Sequence, residues 1–216
     1  MTTRYVFDFS EGDKEQKALL GGKGANLAEM VKIGLPVPPG FTITTEACKA
    51  YLTKGKAPAE LAAEVTAHLA TVEQAMGRTL GDPINPLLVS VRSGAAFSMP
   101  GMMETVLNIG LNDDSVLGLA GMAGERFAWD SYRRLLQMFG KTVLGIDSEV
   151  FEARIEQVKH ARRIVEDTEL TAADLAALCG SFKTAIFNAT GERFPQDPRQ
   201  QLDAAVEAVF RSWSGD

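Results

Sequence analysis

The sequence predicts an α+β chain, with a small mixed sheet in the first half and a predominantly helical second half. Three observations lead there. Residues 4–9 (RYVFDF) alternate apolar and polar side chains, as a half-buried strand does. Two short apolar runs, 87–91 (LLVSV) and 104–109 (ETVLNI), can pair with each other. From Ser115 onward the apolar residues recur every three or four positions, the period of a helix with one buried face.

In chain order, the strand at 4–9 is followed by GGKGANLAEMVKIGLPVPPG, a glycine-rich turn and a short helix over about 25–33, stopped by Gly34 and three prolines. Residues 41–44 (FTIT) suit a second strand, and Thr45 opens a helix running through Tyr51. Leu61, Val65, Leu69, Val72 and Met76 mark one face of the next helix. A loop rich in Asp, Asn and Pro over 82–86 precedes 87–91, read as a buried strand. The segment between that strand and its partner is too long for a tight turn, which is unusual for a hairpin serving only structure.

Farther on, RFAWDSYRRLLQMFG offers Phe127, Tyr132, Leu135 and Phe139 to a core, and Phe151, Ile155 and Val158 mark another helix. Thr171 followed by Asp174 reads as a capping box, opening a helix with Leu175, Leu178, Phe182 and Ile186 on one face. A last helix would bury Leu202, Val206, Val209, Phe210 and Trp213.

Composition bounds the function. The 216 residues are 45% hydrophobic and 23% charged, with a net charge of −6. That balance argues against nonspecific nucleic-acid binding and against an anionic membrane surface. No run of about 18 apolar residues is present, and acidic residues interrupt the N-terminus where a secretory signal needs an apolar core. Cys48 and Cys179 lie far apart in helical sequence, so buried free thiols and a reducing cytoplasm are expected. His68 and His160 have no ligand spacing with them that fits zinc, and each reads as a partly exposed helix residue. The basic run 159–163 reads as a solvated face.

Two stretches could carry chemistry. Gly21-Gly22-Lys23-Gly24 is not a Walker A loop, because Lys17 stands where its first glycine belongs and Gly24 where Ser or Thr should follow the lysine. Glycines around a lysine before a helix nevertheless supply backbone N–H groups, a positive helix end and a mobile ammonium, the parts of a phosphate site. A flexible turn with a solvated lysine fits the same spacing.

The second stretch is SVRSGAAFSMPGMMETVLN. Arg92 leaves an apolar strand among Ser90, Ser93, Gly94 and Ala95, where a ligand can approach the backbone and a guanidinium can grip a phosphate through two parallel hydrogen bonds. Gly101 adds a position without a Cβ. Met99, Met102 and Met103 could line a base, although filling a core is the commoner use of methionine.

GGKGANLAEMVKIGLPVPPGFTITTEAC, SVRSGAAFSMPGMMETVLNIGLND and RFAWDSYRRLLQMFG together closely resemble the N-terminal nucleotide-binding domain of the pyruvate, phosphate dikinase family, in order and spacing. The resemblance implies an ATP-grasp type domain, with residues 1–112 its mixed α/β part carrying both loops and 113–216 a helical subdomain. It implies a phosphotransferase converting ATP, phosphate and pyruvate into AMP, diphosphate and phosphoenolpyruvate through a phosphohistidine in another domain. By position, Lys23, Arg92, Gly101 and Thr105 become the expected ATP contacts, with no catalytic residue and no metal ligand in this chain. Mg²⁺ would accompany ATP on ligands beyond Asp216, and the phosphohistidine domain and pyruvate-binding barrel would lie beyond it too. The chain is thus expected to be an N-terminal portion of a cytoplasmic, homodimeric enzyme, inactive alone, with ATP and those downstream domains as partners and no nucleic acid or membrane. The alternatives are a fragment of a phosphoenolpyruvate synthase-like dikinase and a non-catalytic remnant that binds nucleotide or a partner.

Overall fold

The computed structural model describes residues 3–94 and 105–213. They form a helix-rich α+β structure with three two-stranded sheets, rather than one small mixed sheet. The chain divides into two compact units. Among the described residues no helix is long and apolar enough to cross a membrane.

The first unit comprises Met1–Gly77, Arg92–Met103 and Val209–Asp216. Strand β1 (Val6–Asp8) pairs antiparallel with β2 (Phe41–Ile43). The alternating RYVFDF run is therefore only half strand, and Phe9–Glu11 turns into a 3₁₀ helix. At the start of β1, one carboxylate oxygen of Glu64 accepts the backbone N–H groups of both Tyr5 and Val6, each at 2.8 Å.

Helix α1 (Lys17–Lys32) starts eight residues before the expected position and is broken inside at Gly21. Leu20, Ala25 and Ala28 form a buried cluster on it, with Phe7 packed alongside. Helix α2 (Thr45–Lys54) is capped by the Thr44 hydroxyl, which accepts from the Ala47 N–H. Helix α3 (Leu61–Met76) buries Leu61, Val65, Leu69 and Val72 as the spacing predicts. Met76 keeps the period but sits on the last helical residue, beyond the packed surface, and is exposed.

The second unit comprises Arg78–Val91 and Glu104–Ala208. The run LLVSV splits into β4 (Pro86–Leu87), parallel to β3 (Thr79–Leu80), and β5 (Val89–Val91), antiparallel to β6 (Val106–Ile109). Val89 and Val91 are only half-buried, so β5 is not the buried strand expected. Its pairing skips a residue, because Val89 opposes Ile109 while Val91 opposes Val106. Asn108 takes up the extra residue with a φ of 62°, and its Nδ2 donates to the Ser131 carbonyl.

Helices α4 (Ser115–Ala123), α5 (Glu125–Thr142), α6 (Glu149–Arg162), α7 (Ala172–Thr190) and α8 (Pro198–Arg211) follow. The division between units runs through α8, whose residues from Val209 group with the first. Helix α5 is the centre of the second unit, packing on α4, α7 and β6. Its stripe of Ala128, Ser131, Tyr132, Leu135, Leu136 and Phe139 is buried. Phe127 lies just off that stripe and is 56% exposed, contrary to its expected core position.

Phe151 and Phe182 meet edge to face at 5.0 Å, and Gly140 admits them, since a Cβ there would stand 2.3 Å from the Phe151 ring. Thr171 and Asp174 form the expected capping box, and Leu175, Leu178, Phe182 and Ile186 are buried behind it. Trp213, expected in the core, is 36% exposed. Both cysteines are free and buried, and burial pushes the Cys48 thiol up to about 11 and the Cys179 thiol up to about 12.

Candidate nucleotide site

Lys23 and Arg92 belong to the same compact unit, and their loops meet through backbone. Gly21 interrupts α1 with φ 70° and ψ 169°, a conformation that glycine adopts without steric cost. The break turns the next amide outward, so that the Gly22 N–H donates to the Gly94 carbonyl oxygen at 3.1 Å. Lys23 lies immediately after that donor and Arg92 two residues before that acceptor. One of the amides expected to be free for a ligand is therefore engaged in joining the two loops.

Both side chains are exposed. Some nearby cations are paired, Lys14 with Glu29, Lys32 with Asp13 and Lys49 with Glu46. No described acid pairs with Lys23 or Arg92. Between them, Ser93 is 1% exposed, and its hydroxyl accepts the indole N–H of Trp213 at 3.2 Å. This arrangement can present two cations to one polyanion, with helical backbone beginning beside the ammonium.

Of the other expected contacts, Thr105 is half-buried just before β6 in the second unit. Gly101 lies outside the described residues, as do Met99, Met102 and Met103.

The structure also brings together residues that sequence spacing kept apart. The Asp8 carboxylate at the end of β1 accepts from His68 Nδ1 at 2.6 Å, and Glu11 stands beside them. One ligand atom from each of Asp8, Glu11 and His68 lies within 4.8 Å of the others. The partners are 60 residues apart, and only the packing of α3 against β1 unites them. Glu11 is already held by the Arg4 guanidinium and by the Asp8 N–H, and the Arg4 hydrogen bond leads the effects that hold its carboxyl below the usual range. A carboxylate so engaged does not suit Mg²⁺, which demands freely placed oxygen ligands in near-octahedral geometry.

The basic run on α6 is likewise not free. Lys159 bridges Glu156 and Asp167, and Arg162 pairs with Asp174. His160 beside them is exposed, as expected.

Comparison with known proteins agrees with the sequence resemblance. Residues 17–61, which carry α1 and Lys23, match the family described as pyruvate phosphate dikinase, AMP/ATP-binding domain. The chain is 57% identical over 98% of its length to pyruvate, phosphate dikinase 1, chloroplastic, of Zea mays, covering 23% of that protein. It is 58% identical over 96% of its length to pyruvate, phosphate dikinase 2 of Oryza sativa subsp. japonica, covering 24%. Pyruvate, phosphate dikinase 1, chloroplastic, of Arabidopsis thaliana matches at 56% identity, with 22% covered. Over nearly its whole length the chain is thus similar to these pyruvate, phosphate dikinases, and it spans about a quarter of their length.

Proposed function

We propose that the chain forms part of an ATP site of the ATP-grasp type, in which Lys23 and Arg92 hold the phosphates. The observation that carries this reading is the Gly22–Gly94 hydrogen bond, which ties the lysine turn to the arginine loop within one compact unit. Two exposed cations on a rigid backbone junction suit phosphoryl transfer, which depends on positioning and charge neutralisation more than on covalent help from the protein. Gly101 and Thr105 belong to the same proposal as further contacts.

The reaction would be that of the related dikinases: ATP, phosphate and pyruvate exchanged for AMP, diphosphate and phosphoenolpyruvate. The Mg²⁺ ligands, the phosphohistidine and the pyruvate site belong to further domains, which are this chain's partners in a homodimeric enzyme. The buried free thiols support a reducing compartment such as the cytoplasm.

Titration calorimetry with ATP·Mg²⁺ tests the reading. The chain should bind weakly by itself, and Arg92→Ala should abolish the heat. Tight binding that ignores Arg92 would overturn the assignment.

A further inference from the structure

We propose that Trp213 is a positioning residue for the loop that carries Arg92, an inference that rests on the nucleotide reading above. Arg92 is exposed, so its direction depends on how the backbone at 92–94 is held. Among the described residues, two contacts hold it. On one side the Gly94 carbonyl accepts from Gly22, and on the other the Ser93 hydroxyl accepts from the Trp213 indole. Ser93 is 1% exposed and points away from solvent, whereas its neighbour Arg92 faces it. The indole bond therefore fixes the inner face of the segment whose outer face bears the cation.

Trp213 is itself anchored. Phe210, three residues earlier, is 4% exposed and packs its ring 5.3 Å from that of Tyr51 on α2. More than a third of Trp213 remains exposed, so apolar burial alone does not account for the indole at this place. Its N–H reaches the loop at Ser93, and phenylalanine would keep an aromatic ring while removing that donor.

Consequently, the line of contacts from Trp213 through Ser93 and Gly94 to Gly22 ends one residue from Lys23. Loosening the first bond should free both cations from their common frame while leaving the helices intact.

The experiment uses the 216-residue chain and two substitutions that break the same bond from opposite sides, Trp213→Phe and Ser93→Ala. Amide exchange of Gly22 is read by NMR, and ATP·Mg²⁺ affinity by calorimetry. Both variants should accelerate Gly22 exchange about fivefold, the effect of losing one net hydrogen bond, and weaken ATP by a similar factor. Trp129→Phe, in the other unit, should change neither.

Unchanged Gly22 exchange in both variants would overturn the proposal, and so would faster exchange with wild-type ATP affinity. Failure of the nucleotide reading is distinct: Arg92→Ala would then bind ATP as the wild type does. Ser93→Ala is a near-isosteric change, so the test stands even if Trp213→Phe folds poorly.

Discussion

Gly21 lies so close to Gly94 that a Cβ on Gly21 would stand 2.6 Å from the Gly94 carbonyl oxygen. The obstacle is backbone, which cannot rotate aside as a side chain can. Gly21 also has a φ of 70°, where an L-residue is strained.

Gly21→Ala should therefore destabilise the first unit by on the order of 2 kcal/mol, from left-handed strain and the lost close approach together. Urea unfolding followed by circular dichroism measures it. Gly34→Ala is the control, because φ is positive there too but nothing lies within 4 Å of the added methyl. It should lose only the strain, about 1 kcal/mol.

Helix α5 separates two phenylalanines that look equivalent in sequence. Phe139 is 1% exposed and meets Phe194 edge to face at 5.3 Å, while Phe127 is 56% exposed. Phe139→Ala should cost about 3–5 kcal/mol, and Phe127→Ala about 0.5 kcal/mol or less, by thermal or urea unfolding.

The second unit has a buried polar pin in Gln201, which is 0% exposed. Its Oε1 accepts from the Gly110 N–H, and its Nε2 donates to the Leu111 and Pro195 carbonyls. Gln201→Leu keeps the bulk and strands three backbone groups. A loss on the order of 3 kcal/mol is expected, measured by urea unfolding.

Asp174 makes stability depend on pH. Its carboxyl lies below the usual range, first because the Thr171 hydroxyl donates to it and then because Arg162 pairs with it, against an opposing effect of burial. A depressed folded value means that the contribution is complete above the unfolded carboxylate value of about 3.9 and is lost as pH falls through the folded value. Asp174→Asn should be less stable than wild type at neutral pH, and the gap should shrink on acidification toward about pH 2. Urea midpoints across that range provide the check.

These elements also show what the sequence could convey. Helices α3, α5 and α7 were legible because a buried stripe repeats at helical spacing, and the Thr171–Asp174 cap marks its own start. Helix α1 is longer than its sequence suggests, since glycine at 21, 22 and 24 reads as turn while Gly21 alone breaks the helix. The split of LLVSV and the bulge at Asn108 follow from strand partners that no local pattern names. Lys23 and Arg92 were legible as cations among glycines, whereas their junction through Gly22 and Gly94 was not, being a contact across more than seventy residues. His68 reads only as a partly exposed helix residue in the sequence because its acid, Asp8, comes from a different element.

Glu64 has a consequence for the behaviour of the chain among its own copies. A two-stranded sheet has two open borders, and each row of unpaired amides is a template on which a foreign strand can add. The N–H groups of β1 that point away from β2 are those of Val6 and Asp8, and Glu64 takes the first while Glu11 takes the second. These contacts place negative charge at the border, which an approaching backbone carbonyl would have to desolvate and oppose. Two carboxylates, one from α3 and one from the 3₁₀ turn after β1, thus occupy the donors that a third strand would pair with.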